Sequence, residues 1–509
     1  MGYGVAGSAS TLMARVRGMT WRGPFAGHYA VVAAMVVTAL IPYLVLSAAL
    51  GPITPILARQ LGMNVEQTNL ATGLANAGYA LGTVLSVQLA QHLPQRRMLI
   101  IYATVLVAGS LLAASATGAI MFITGHVLQG LCTSLLLIAA VPPLVTGFPP
   151  SKVRYTAVIL NLSIFGAVAL GPLIGGIQAD FDDWRPLFWI VAGISILALL
   201  LVLLTFEDVP PADLTSTRSP LAVTLAAVGC VAAFYGSAQL LTHQSIEAQT
   251  LGPLIGGVLV IVALLVEQYH AKRPLLIIRP LTTTMPVSGI VVAICAAAAS
   301  VSAITLSSVL LEDRYSPLKL GLLYLPEFGG AFITAILFAV LFTTKALHYF
   351  ALIGLACLSA GVALLAVALP PSTIVTLVAT GLIGVGVGAS VTPALFIAGF
   401  SLRNAALQRV FAIIELMRAV AAFMIAPVLL YVAMSVGSSA TAGIRTALWV
   451  CLGLSVFGGL VGIALYALAG VRPPTPALLR WFGGEAAWYS PPLLARVRRN
   501  VDTDEPREA

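Results

Sequence analysis

The sequence predicts an all-α polytopic membrane protein with fourteen transmembrane helices, and three observations lead there. Of its 509 residues, 59% are hydrophobic and only 9% charged, and the mean hydropathy is +1.01. An ordinary soluble domain carries about 25% charged residues, so water is a poor solvent for this chain. Apolar runs of about 20 residues, long enough to cross a bilayer as a helix, recur fourteen times. Lys and Arg fall mainly on one side of those runs. With the N-terminus inside, inner segments hold 20 of them, outer loops hold 5 (Arg59, Arg185, Arg314, Lys319 and Arg445), and Arg418 lies within a span. This bias places both chain ends in the cytoplasm and requires an even number of spans.

The net charge of +8 does not point to nucleic acid, because the basic residues sit in short clusters between apolar runs. The five cysteines, Cys132, Cys230, Cys295, Cys357 and Cys451, lie inside apolar runs without a pairing pattern, so neither a disulfide framework nor a metal site is expected. No P-loop pattern occurs, which leaves ATP-driven transport unsupported. No catalytic constellation is visible either, so an enzyme is not expected, and no cofactor is implied.

In chain order, residues 1–28 form a basic tail with Arg15, Arg17 and Arg22, too polar for a cleavable signal peptide. The first six spans are expected at 29–50, 67–89, 98–116, 119–146, 153–178 and 186–206, where Gly118 alone separates the third from the fourth. Span five contains GPLIGG, and Gly166, Gly171, Gly175 and Gly176 give it a helix face with almost no side chain. A neighbouring helix can approach closely there, and Pro172 weakens the backbone ladder. The Pro-rich stretch around 207–220 reads as a linker. Spans seven and eight follow at 219–242 and 251–269, and a second GPLIGG, at 252–257, opens span eight with Pro253 in its first turn. The last six spans are expected at 284–311, 319–343, 347–369, 373–400, 405–434 and 443–470. The tail, 471–509, interleaves Trp481, Phe482, Trp488 and Tyr489 with arginines. It is expected to lie on the inner membrane surface, with a disordered end, VDTDEPREA.

Ionisable groups inside a membrane are costly and therefore functional candidates. Glu327 follows Pro326 in span ten and has no cation nearby in sequence. Glu415 and Arg418 are spaced to pair on one face of span thirteen. His126 lies in span four and belongs to the residue type that titrates near physiological pH. Glu327, Glu415 and His126 are the candidates for carrying a proton, Glu327 first among them. His28, His92, His270 and His348 fall at span ends or loops and are assigned no role. Single aromatics within spans, such as Tyr79, Phe165 and Phe396, read as packing.

Four stretches stand out: GPLIGGIQADFDDWRPLFWI in spans five and six, VEQYHAKRPLLIIRPL at 266–281, YSPLKLGLLYLP at 315–326 and GLIGVGVGASVTP at 381–393. Together and in this order they resemble the fourteen-helix drug:proton antiporters of the major facilitator superfamily. The resemblance implies a major facilitator fold, with a six-helix bundle at 29–206, a linker and inserted helix pair at 207–283, and a second six-helix bundle at 284–470. Substrate would bind between the bundles near the midplane, with access alternating by rocking. The glycine face of span five would then sit at the bundle interface on the outer side. This makes the first GPLIGG a motif and the second a packing echo. Arg96 and Arg97 match the charged loop after span two, and Arg418 matches the span-thirteen arginine, so all three are gating or ion-pair candidates.

The departures bear on coupling. Gln91 and Pro94 replace the aspartate and the second glycine of the loop pattern, His126 stands at an arginine position beside the retained Gln129 and Gly130, and Leu46 stands where span one often carries an aspartate. The expectation is a secondary exporter of an apolar or amphipathic small molecule, with protons and membrane lipids as its other partners. Its rivals are a proton-independent facilitator or exchanger and a non-transporting receptor or assembly subunit. Neither the substrate-binding residues nor an oligomeric state can be read from the sequence.

Overall fold

A computed structural model describes residues 23–206, 219–244, 246–436, 439–472 and 474–496. Arg15, Arg17 and Arg22, the 207–218 linker, Arg498, Arg499 and the terminal VDTDEPREA lie outside the described residues. Among the described residues, fourteen helices are long and apolar enough to cross a membrane. They are α1 (Tyr29–Leu61), α2 (Val65–Ala90), α3 (Gln95–Ala114), α4 (Ala119–Thr146), α5 (Pro150–Asp180), α6 (Arg185–Thr205), α7 (Pro220–His243), α8 (Ala248–His270), α9 (Thr284–Glu312), α10 (Pro317–Leu341), α11 (Ala346–Val367), α12 (Thr373–Phe400), α13 (Asn404–Ser435) and α14 (Ala440–Ala469). A short α15 (Leu478–Phe482) follows. The protein is an integral, multi-pass membrane protein. With an even number of spans, both described ends lie on one face, called the end-bearing face below.

Local chemistry sets the helix ends. Gly118 stands in extended backbone and breaks the chain between α3 and α4. Asn64 and Gln67 form a reciprocal capping box that starts α2. At the start of α6, Arg185 donates to the carbonyls of Ala114 (3.2 Å) and Ala116 (3.0 Å), pinning that helix to the end of α3. Its guanidinium stacks over buried Trp184, which accounts for the WR pair in local terms. One expectation is corrected at α8. The helix begins at Ala248 because Glu247 and Thr250 form a capping box, so Pro253 lies past the first turn, inside the helix.

Helices α1 to α6 pack on one another, as do α9 to α14. The two groups meet through α5 against α10 and α2 against α13, while α7 and α8 pair together beside α2 and α13. The second GPLIGG holds that pair: a Cβ on Gly257 would lie 2.7 Å from Ala233 Cα, whereas Gly252 and Gly256 face open space. Close contact is therefore confined to one face of the copy, the face turned to α7.

Candidate functional site

The two helix groups enclose a cavity made of two adjoining spaces. One, of about 60 Å³, lies toward the end-bearing face, with walls from α4, α5, α12 and α13. The other, of about 30 Å³, is bounded by α1, α5, α9, α10, α12 and α13. Ile164, Phe165 and Arg418 border both, so the two spaces adjoin across these three side chains. Phe396, Phe400 and Phe411 add aromatic faces to the larger space. Such walls take up apolar groups without demanding hydrogen bonds. Phe165 and Phe396, read from sequence as packing, are cavity walls. Phe165 follows from a local device: α5 is interrupted by a π-helical turn at Leu162–Gly166, and such turns re-aim side chains at functional sites.

The charged groups are few and distinct. Glu415 and Arg418 form a bidentate pair, with Arg418 Nε donating to Glu415 Oε2 at 2.8 Å and Nη2 donating to Oε1. Both are buried. Tyr79 of α2 donates to Glu415 Oε1 at 2.7 Å, so the pair of α13 is held by a hydroxyl from the other helix group. Tyr79 in turn stacks on Tyr43, whose hydroxyl donates to Asn76 at 2.7 Å. Satisfying the remaining lone pairs in this way is what makes a buried ion pair tolerable.

Glu327 borders the smaller space and is 7% exposed. Among the described residues no hydrogen-bond donor or cation pairs with its carboxylate. It thus differs in kind from Glu415: one carboxylate is committed to an arginine, the other faces the cavity uncommitted.

His126 borders neither space. It packs between Phe122 and Tyr43, and its Nδ1 lies 3.0 Å from Gln129 Oε1. Gln129 Nε2 donates onward to Ser110 at 3.2 Å. His126 is therefore a member of a buried polar chain directed into α3 and α6. Arg96 and Arg97 begin α3 on the end-bearing face; Arg97 is exposed and Arg96 half-buried, and neither borders the cavity.

The first GPLIGG closes the opposite face. A Cβ on Gly175 would lie 3.0 Å from Ala49 Cα in α1, and Gly171 faces the same helix. Gly176 instead meets the backbone of Pro317 and Leu318 in α10, and Gly321 of α10 meets Pro172 and Leu173 in return. The motif therefore has two faces, one turned into its own helix group and one turned across to the other. Asn161 of α5 donates to Gly388 O of α12 at 2.9 Å, a further link across the groups that sequence reading did not find.

The family model described as the Major Facilitator Superfamily matches residues 35–352. The chain belongs to the major facilitator superfamily. Among its relatives in this superfamily, an uncharacterized MFS-type transporter, YubD of Bacillus subtilis, is 28% identical over 326 residues, 62% of each chain. The probable multidrug resistance protein EmrY of Escherichia coli is 23% identical over 282 residues, 53% of this chain and 54% of that one. The lincomycin resistance protein LmrB of Bacillus subtilis is 25% identical over 216 residues, 41% of this chain and 43% of that one. The chain thus aligns with less than two-thirds of the length of these relatives.

Residues 474–496 fold back onto the protein at the end-bearing face. Trp481 is fully buried and borders the larger space of the cavity, and Trp488 is buried with its Nε1 donating to Ser401 at 2.8 Å. His348, given no role, anchors this segment: its Nε2 donates to Pro474 O (3.2 Å), and Tyr466 donates to its Nδ1 (2.8 Å). Tryptophans among arginines have the same composition whether they face lipid headgroups or fill an intramolecular pocket, so only the packing separates the two cases.

Proposed function

We propose that this protein is a secondary transporter that exports an apolar or amphipathic small molecule in exchange for protons, by alternating access to the cavity between its two helix groups. The carrying observation is a cavity with aromatic walls, sealed on one face, into which a single uncommitted carboxylate, Glu327, projects beside a neutralised pair, Glu415–Arg418. A carboxylate without an ion-pair partner can gain or lose a proton without breaking a structural contact, which suits a carrier that must do so every cycle. Arg418 is the charged group that borders both spaces, and its guanidinium lies 5.9 Å from the Phe165 ring centroid, which supports a part for it in responding to occupancy. The six-helix units at 29–206 and 284–470 rock about the α5–α10 and α2–α13 contacts. The excess of Lys and Arg on the end-bearing side supports a cytoplasmic position for that face and both termini. The names of EmrY and LmrB, a probable multidrug and a lincomycin resistance protein, support drug-like cargo.

Proton-independent exchange is the second reading, favoured by the absence of any acid in the span-one region, where Leu46 stands. Inverted membrane vesicles with an imposed pH gradient separate the two. Lipophilic cations, neutral antibiotics and lipids are added in turn, and compound-induced proton release is recorded for the parent and Glu327→Gln, with Glu415→Gln as control. Release in the parent and none in Glu327→Gln supports antiport through Glu327. Accumulation of a compound with the gradient untouched overturns coupling.

A further inference from the structure

The cavity is closed at its two ends by different means. On the face away from the chain ends, helix backbone meets helix backbone through the glycines of α5 and α10. On the end-bearing face one side chain that lines the larger space, Trp481, comes from α15, outside both helix groups. Its indole Nε1 donates to Leu402 O at 2.9 Å and its ring meets Phe400 edge-on at 5.2 Å. The segment that carries it is tied to the second helix group throughout. Ala487 N donates to Phe400 O (2.8 Å), Met285 N donates to Ser490 Oγ (3.0 Å), and Thr284 N donates to Pro491 O (3.0 Å). Yet α15 also lies against the Pro150–Lys152 turn, which belongs to the first group. The segment therefore straddles the seam that must part when this face opens.

An interfacial anchor would turn its apolar and aromatic groups outward. Here Leu479 and Tyr489 do so, at 81% and 77% exposure, while Trp481 has 0%. The segment thus has a wetted or lipid-facing side and a side built into the cavity wall. We propose that Trp481 is the gate residue of the end-bearing face: it travels with the second helix group, leaves the 150–152 turn when the groups part, and sets the largest molecule that the closed cavity holds. The size-limiting role rests on the transport reading above; the closing role does not.

The test uses the full chain with its five cysteines replaced and one cysteine introduced at Leu395, a cavity wall. A membrane-impermeant maleimide is applied from the end-bearing side. Trp481→Ala is expected to speed labelling about tenfold or more, because the accessible fraction scales the observed rate. Arg480→Ala, on the exposed side of α15, is expected to leave it unchanged. Should Trp481→Ala not fold, Trp481→Leu keeps an apolar anchor while shortening the plug, and faster labelling is again expected. Labelling at the parent rate in a folded Trp481 variant overturns the gate. With a compound transported by the parent, Trp481→Ala is expected to extend the accepted range to bulkier analogues. An unchanged range, with labelling accelerated, overturns the size limit and leaves the gate standing. Absence of any transported compound strikes the transport reading, and the labelling result still decides the gate.

Discussion

Adjacent glycines in the first GPLIGG are expected to respond oppositely to the same substitution. A Cβ at Gly176 would lie 2.9 Å from the Pro317 carbonyl carbon and 3.2 Å from Leu318 Cα. Ordinary carbon contacts are about 3.5–4.0 Å, so α5 and α10 must separate by roughly 0.5–1 Å to admit a methyl group. Both obstacles are backbone and cannot rotate away. Overpacking of this kind costs about 1–3 kcal/mol. Contact between α5 and α10 belongs to the state closed on that face, so the cost falls on one conformation and shifts the population ratio by roughly 5- to 150-fold. At Gly175 the obstacle is Ala49 of α1, with Cα and the carbonyl carbon both at 3.0 Å. That contact lies within one helix group and persists as the groups rock, so a similar cost lowers stability without favouring either state. The gain in helix propensity from Gly to Ala, about 1 kcal/mol, is common to both and cancels in the comparison. Nitroxide pairs at Asp180 and Lys319, read by pulsed electron resonance, report the separation of α5 and α10 on that face. Gly176→Ala is expected to populate a longer distance with little loss of melting temperature. Gly175→Ala is expected to melt earlier with the distance distribution unchanged. If both variants melt earlier and neither changes the distribution, the two-faced reading of the motif is refuted.

Glu327→Gln is expected to melt within about 1 kcal/mol of the parent, because its carboxylate has no paired charge to strand, while compound-induced proton release is lost; retained release in vesicles would remove Glu327 from the mechanism. Glu415→Ala leaves the Arg418 guanidinium buried and uncompensated, at a cost of about 3–5 kcal/mol; thermal melting in detergent should show it, and the double variant with Arg418→Ala should recover part of the loss. Tyr79→Phe removes a hydroxyl bond to a charged acceptor, worth about 1.5–3 kcal/mol, and melting that matches the parent would mean that Glu415 does not depend on α2. The pair formed by Arg59 and Asp182 is largely exposed, at 62% and 64%, so Asp182→Asn should cost no more than about 1 kcal/mol, read as a small shift of the same melting transition.

Crossing a bilayer is a condition that each segment meets alone, since lipid tests its apolarity and length before any neighbour is in place. The fourteen spans, the shared face of the chain ends and the glycine face of α5 were therefore legible in sequence. So was the Glu415–Arg418 pair, because three residues along a helix bring side chains together whatever surrounds them. Contacts between distant residues carry no such local signature. Nothing near Tyr79 announces that it will hold Glu415 across the two helix groups. Nothing in the tail distinguishes Trp481, fully buried in the cavity wall, from Tyr489 on the surface. His348 gained its contact when Pro474 came within reach, and only the fold sets Tyr43 of α1 against His126. The division follows from where the free energy resides: span formation depends on composition facing lipid, whereas the gate and the cavity depend on shape and polar pairing between chain segments hundreds of residues apart, which tertiary packing alone decides.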